Sequence, residues 1–205
     1  GPRPQMNLFA RAHGALVFDR RARVLAGHLA PLLPDGASVL DVGCGDGSIA
    51  RAISLRRGDL ALSGVDVLVR PQTRIPVEPY DGKLLPRADA SVDAVMFVDV
   101  LHHTEDPMVL LAEARRVARR CIVIKDHLRD GLLAGPTLRL MDWAGNAPHG
   151  VVLPYNYWPE ARWRTAFAAL ALQTTSWHTR LGLYPVPADY VFGRGLHFVA
   201  RLERI

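Results

Sequence analysis

Apolar and polar positions alternate along this chain in two different periods, and the switches between them outline its elements. Residues 15–33 place Val17, Val24, Leu25, Leu29 and Leu32 at helical spacing, with Pro31 and Pro34 fraying the end and Asp35-Gly36 supplying a turn. The short β-branched run SVLDVG (38–43) predicts a first strand that enters a glycine-rich turn, and SIARAISLRR (48–57) returns to helical spacing. LALSGVDV (60–67) predicts a second strand, and SVDAVMFVDV (91–100) is apolar almost throughout, as expected of a strand covered on both faces. DPMVLLAEARRVARR (106–120) predicts an amphipathic helix with Asp106 as N-cap and Pro107 at its first position, followed by a buried strand at CIVIK (121–125). Beyond 125 the period is lost until WPEARWRTAFAALAL (158–172) predicts another helix. Two final strand-like stretches, 173–181 and 196–203, flank a Pro- and Gly-bearing connection. Strand and helix alternate through residue 125, which predicts βαβ crossovers and an α/β doubly wound, mostly parallel sheet.

The sequence opens at Gly1 with Met6 following, so residues 1–6 are expected to be a cloning remnant and residues 7–205 a single domain. The 205 residues suffice for one well-buried core. No apolar run is long enough to span a bilayer, and no secretory signal pattern is present, so the expected location is cytoplasmic. Two cysteines, Cys44 and Cys121, fall in segments read as buried and offer no disulfide framework. The net charge of +5 raises the question of a nucleic-acid partner, but the arginines are dispersed and no basic tail or patch is visible. A nucleic acid is therefore disfavoured as partner, a small-molecule substrate is expected, and the oligomeric state is not legible.

The most specific local signal is VLDVGCGDG (39–47). A buried strand delivers the chain to Gly43, Gly45 and Gly47, whose missing Cβ atoms let a ligand approach the backbone. The amides at the start of the following helix would favour an electron-rich ligand group. The glycines fall as G-x-G-x-G, with Ser48 where a dinucleotide fingerprint would have its third glycine. Asp41 precedes the turn and would repel a pyrophosphate, whereas a cofactor bearing a sulfonium and an amino-acid tail would tolerate it. Asp66, with Val67 beside it, ends the second strand about 20 residues later, where a carboxylate can accept both ribose hydroxyls.

Over residues 35–125 these features resemble the class I S-adenosylmethionine-dependent methyltransferases of compact, single-domain type. VLDVGCGDG is similar to the family's first motif and Asp66 to its ribose-binding acid. YDGKLLPRADASVDAVMFVDVLHHTEDP (80–107) resembles its middle block, although Arg87 and Val92 stand where Phe is usual and no proline-glycine turn precedes Cys121. The resemblance implies a Rossmann-like seven-stranded sheet with an antiparallel terminal strand and S-adenosyl-L-methionine as cofactor. Asp81 would then hydrogen-bond the adenine amino group, with Gly82 nearby and Val98 beside the cofactor.

Methyl transfer asks the protein mainly to hold nucleophile, methyl and sulfur in line and away from water. Candidate proton acceptors are His103 after the fourth strand and Asp126 and His127 after the fifth. His102, His103, Asp126 and His127 lack any metal-ligand spacing on one element, so no metal is expected. Segment 126–158 is expected to be an acceptor-site insertion or lid, with Asp142, Trp143, Asn146, Tyr155 and Asn156 as acceptor contacts and the N-terminal helix around His13 and Phe18 completing it. Methylation of RNA or another macromolecule is the alternative enzyme reading. A non-catalytic binding module would be expected to have lost the glycines or Asp66, and both are intact.

Overall fold

The computed structural model describes residues 20–141 in full, the backbone of 142–146, and residues 156–205. His13, Phe18 and Tyr155 lie outside the described residues, as do the side chains of Asp142, Trp143 and Asn146.

Seven strands form one sheet: β1 (Ser38–Val42), β2 (Ala61–Asp66), β3 (Val77–Pro79), β4 (Val92–Val98), β5 (Ala118–His127), β6 (Leu172–His178) and β7 (His197–Arg204), in the order β3-β2-β1-β4-β5-β7-β6. β3, β2, β1, β4 and β5 pair in parallel. β7 runs antiparallel to both β5 and β6, between which it is inserted. This is the doubly wound, mostly parallel sheet with an antiparallel terminal strand that the sequence pattern and resemblance predict.

The helices are α1 (residues 20–29), α2 (Ser48–Ser54), α3 (Pro107–Val117), α4 (Ala134–Asn146), α5 (Glu160–Ala169) and α6 (Asp189–Phe192), with 3-10 turns at Ala30–Leu32 and Leu101–His103. The strand period of two sorts the core into two layers. Leu40 and Val42 of β1, Val95 and Phe97 of β4, and Ile122 and Ile124 of β5 join α3 (Leu110, Leu111, Ala114) and α5 (Trp163, Phe167). Val39, Ala94, Met96, Cys121 and Val123 join α1 (Leu25, Ala26, Leu29) and Ile53 of α2. Each strand is thus apolar on both faces, as a covered parallel sheet requires.

The structure redraws several boundaries. The third strand has only three residues and sits at the sheet edge, too short to leave a sequence pattern. Asp106 does cap α3, its carboxylate accepting from the Met108 amide at 2.9 Å. The helix ends at Val117, however, and the backbone turns extended at Ala118, so residues 118–120 open β5 rather than finish the helix. Asp126 and His127 lie within β5, not in a loop after it, and residues 134–146 of the expected irregular segment form α4. Of the cysteines, Cys121 is buried but Cys44 is only partly so.

Candidate functional site

The glycine turn is anchored on the neighbouring strand. The amides of Gly43 and Cys44 donate to the Val65 carbonyl at 2.8 and 3.3 Å, and the Gly45 amide donates to Asp66 Oδ2 at 2.7 Å. Two of the glycines are dictated by space. A Cβ on Gly43 (φ +70°) would fall 2.6 Å from Val100 Cγ2, and one on Gly47 (φ +77°) would fall 2.5 Å from Ile75 Cγ1. Gly45 (φ +59°) is different, because nothing lies within 4 Å of an added Cβ. Its outer face is open. Asp46 then fastens the start of α2, accepting from the amide and hydroxyl of Ser48 at 3.0 and 2.6 Å.

A cavity of about 620 Å³ opens at the carboxyl ends of β1, β2 and β4. Gly43, Asp66, Val67, Asp81 and Gly82 line it, together with Asp99, Val100 and His103. This is the crevice position that open α/β sheets use for ligands. Asp66 spends one lone pair on the Gly45 amide and one on the Leu68 amide at 2.9 Å, and an ionised carboxylate has about four such sites, so acceptor capacity remains toward the cavity. Asp81 accepts from the amides of Lys83 and Leu84 through Oδ1 alone, which lowers its pKa and leaves Oδ2 for a ligand donor. Tyr80, Lys83 and Val109 also line the cavity. Sequence reading passed over them, although Tyr80 and Lys83 flank Asp81-Gly82 and Val109 sits on the first turn of α3. Val98 packs on the α1 side of the core, and the cavity wall is made by the next two residues, Asp99 and Val100.

Asp41 is 2 % exposed, and no side chain or amide among the described residues donates to it. Burial, reinforced by the charge of Asp66, pushes its carboxyl up to about 8. The same burial, with Asp41 and Asp66 nearby, raises the Cys44 thiol to about 12.

The three proton-acceptor candidates separate in space. His103 lines the cavity, whereas Asp126 and His127 are buried behind its wall. Asp126 accepts from the Leu101 amide at 3.0 Å, from the His127 amide at 2.7 Å and from His102 Nδ1 at 2.6 Å. Burial opposes its ionisation, yet His102 and His127 hold it below the usual carboxylate range. His127 is lowered to about 4 by burial and by the Lys125 charge, so it is a neutral imidazole at physiological pH. Lys125 is fully buried and bonds Asp99, which also receives Arg21 from α1. Burial disfavours the Asp99 charge, but these two cations keep it ionised well below the ordinary range. Asp99 itself adopts a left-handed φ of +57°, a conformation Asp tolerates better than most residues. His197 on β7 completes the group, its ring centroid 4.8 Å from that of His127. Arg21 and His197 carried no sequence signal, because their partners come from strands distant in the chain.

Among the acceptor candidates, Asn156 is described completely. Its amide donates to the carbonyls of Thr104 and Glu105, both at 3.2 Å, and its carbonyl accepts from Trp158 at 2.9 Å. Because Thr104 and Glu105 line the cavity, Asn156 pins the segment after α4 to the cavity rim. No helix among the described residues is long and apolar enough to cross a membrane.

Known proteins share these features. Residues 40–121, from β1 through the start of β5, match the family described as methyltransferase domain. An uncharacterized methyltransferase of Mycobacterium sp. (strain KMS) is 37 % identical over 119 residues, covering 54 % of this chain and 46 % of that protein. The 27-O-demethylrifamycin SV methyltransferase of Amycolatopsis mediterranei is 30 % identical over 110 residues, covering 46 % of this chain and 40 % of that protein. The chain spans less than half the length of these curated relatives. Among solved structures, an S-adenosylmethionine-dependent methyltransferase of Mesorhizobium loti superposes with a TM-score of 0.62 at 17 % identity, covering 87 % of this chain and 96 % of that one. A complex of the Haloferax volcanii Trm112 methyltransferase activator with a candidate methyltransferase gives a TM-score of 0.69 at 18 % identity, covering 89 % and 90 %. Such identities speak to the fold alone. Strand order, glycine turn and family match coincide on the same residues, and it is residues 40–121 that match the methyltransferase domain family.

Proposed function

We propose that this chain transfers a methyl group from S-adenosylmethionine to a small-molecule acceptor. The observation that carries the reading is the cavity joining Gly43 of the glycine turn to Asp66 and Asp81. In it Asp66 takes the ribose hydroxyls, Asp81 and Gly82 meet the adenine edge, and the turn faces the amino-acid end. The cofactor, when bound, supplies a methyl carbon activated by a positive sulfur. The residues around the cavity would hold that carbon in line with an acceptor lone pair and away from water. Where the acceptor is a hydroxyl or a protonated amine, its proton needs a base, and His103 is the candidate imidazole on the cavity wall. Asp126 and His127 stand behind that wall and shape it. Asn156, bonded to the Thr104 and Glu105 carbonyls, stands at the rim on the acceptor side.

A small acceptor is favoured by the relative that methylates an oxygen of a rifamycin, and by the acids that line the cavity, which disfavour an anionic polymer. Calorimetry with S-adenosylhomocysteine tests the cofactor half: wild type binds, and Asp66→Ala weakens binding by at least about 30-fold, the worth of one or two hydrogen bonds to a charged group. Affinity for a nicotinamide or flavin instead would overturn it. A mass-spectrometric screen for methylated products in a metabolite library tests the acceptor half, and methylation of RNA alone would refute the small-molecule assignment.

A further inference from the structure

At the cavity wall, where Asp99 stands, and just behind it, four ligand-type side chains from three segments converge on one point. Asp99 follows β4, His102 sits in the 3-10 turn, and Asp126 and His127 end β5. One atom from each lies within 4.8 Å of all the others. His102 Nδ1 and Asp126 Oδ1 are 2.6 Å apart, and His127 Nδ1 is 3.3 Å from His102 Nδ1, 3.5 Å from Asp126 Oδ1 and 3.6 Å from Asp99 Oδ1. Hydrogen bonding accounts for the first of these. His127 Nδ1 is held more loosely: its contact with His102 Nδ1 is long for a hydrogen bond, and its two carboxylate neighbours stand at or beyond the limit of a useful one. A tetrahedral ion with ligands at ~2.1 Å has ligand–ligand edges of about 3.4 Å, which is the spacing His127 Nδ1 keeps to all three partners.

The charges point the same way. Asp99 bonds Lys125 and Arg21 directly, whereas the wholly buried Asp126 is hydrogen-bonded, among the described residues, to amides and an imidazole and feels Lys125 only through space. A buried carboxylate with no cation bonded to it gains from one placed in contact.

We propose that Asp99, His102, Asp126 and His127 form a binding site for one divalent transition metal ion of the zinc class. Two imidazole nitrogens and two carboxylate oxygens suit that class better than magnesium or calcium, which prefer an all-oxygen shell. Four protein ligands in a buried setting make the site closed and structural. It clamps the end of β4 to the end of β5, directly behind the wall that Asp99, Val100 and His103 present to the cavity. Lys125 bonds the same Asp99 oxygen, so ion and ammonium compete there and Asp99 is the weakest of the four ligands. The sequence spacing concealed the set, because no two of the ligands share a helix face and only Asp126 and His127 share a strand. The site does not depend on methyl transfer, and its test needs no activity.

Untagged protein, stripped with a chelator and checked for native circular dichroism, is titrated with Co²⁺ and Zn²⁺. The expected result is one equivalent bound, a tetrahedral Co²⁺ spectrum displaced by Zn²⁺, and a higher melting temperature with metal. His127→Gln should weaken Zn²⁺ binding by more than about 100-fold, beyond what loss of an outer-shell contact does. His197→Gln, which changes the adjacent buried imidazole outside the ligand set, should bind as wild type does. Absence of stoichiometric binding by folded wild type would overturn the proposal. So would equal binding by folded His127→Gln, or equal loss in folded His127→Gln and His197→Gln.

Discussion

Replacing Asp41 with Asn tests whether the acid at the mouth of the glycine turn is held uncharged. Its carboxyl is raised from 3.8 to about 8 by burial and by Asp66. In the unfolded chain the group ionises near 3.8, so above that pH folding must take up a proton. The folded state binds more protons than the unfolded one, and stability therefore falls as pH rises from about 4 to about 8. At one pKa unit per ~1.4 kcal/mol, the cost is about 2 kcal/mol at pH 5 and about 4 kcal/mol at pH 7. Asn is nearly isosteric and never pays it, although its amide must still be buried at a cost of about 1–3 kcal/mol. The cofactor-free variant should thus exceed wild type by about 2 kcal/mol at pH 7, or ~5 °C in a chain of this size. The decisive readout is the melting-temperature gap between Asp41→Asn and wild type, followed from about pH 5 to about pH 8. All other ionisations are shared and cancel, so the gap should widen steadily with pH. A gap that stays constant would mean that Asp41 is ionised in the fold, and the reasoning would be wrong.

Four further outcomes follow from the geometry. Gly43→Ala should destabilise by about 1–3 kcal/mol in urea titration, since it combines a positive φ with a 2.6 Å approach to Val100. Asp106→Ala should cost about 1 kcal/mol in urea titration through loss of the α3 cap. Cys44 and Cys121, with thiols raised to about 12 and about 11 by burial, should resist iodoacetamide near pH 8 in the folded protein and react on addition of denaturant. Asn156→Ala frees the segment after α4 from the cavity rim, so turnover of an identified acceptor should fall while the dissociation constant for S-adenosylhomocysteine stays within about twofold.

Legibility in the sequence followed the range of the interactions. The residues around the cavity could be read because its parts are local: the strand-turn-helix of 39–54, Asp66 one strand later, and the 80–107 block each carry their own pattern. β3 could not, since three residues at a sheet edge leave no period, and its place is set by pairing with Gly64–Asp66. α4 was missed because Gly135, Pro136, Gly145 and Asn146 dilute its helical signal, and of its described side chains Ala134, Leu138 and Met141 face the core. The expectation that the helix runs to residue 120 failed where Arg119 and Arg120, good helix formers, were drawn into β5 by its pairing with β4. In the buried group around Asp126, His102, Asp126 and His127 stood out in the sequence but their convergence with the rest did not, for a different reason. Its members come from α1, β4, the 3-10 turn, β5 and β7, and no pattern along the chain links Arg21 to Asp99 or His127 to His197.

The insertion of β7 between β5 and β6 sets an order of events during synthesis. When residues 172–178 leave the ribosome, no neighbouring strand is yet there to take them, because their partner is residues 197–204. Phe198, Ala200 and Leu202 arrive last and are fully enclosed. Until then the β5 edge is an open row of amides and carbonyls, a state prone to wrong pairing. A message cut short before codon 197 would therefore leave β6 stranded and that edge exposed, a fate quite unlike the simple trimming of a dispensable tail.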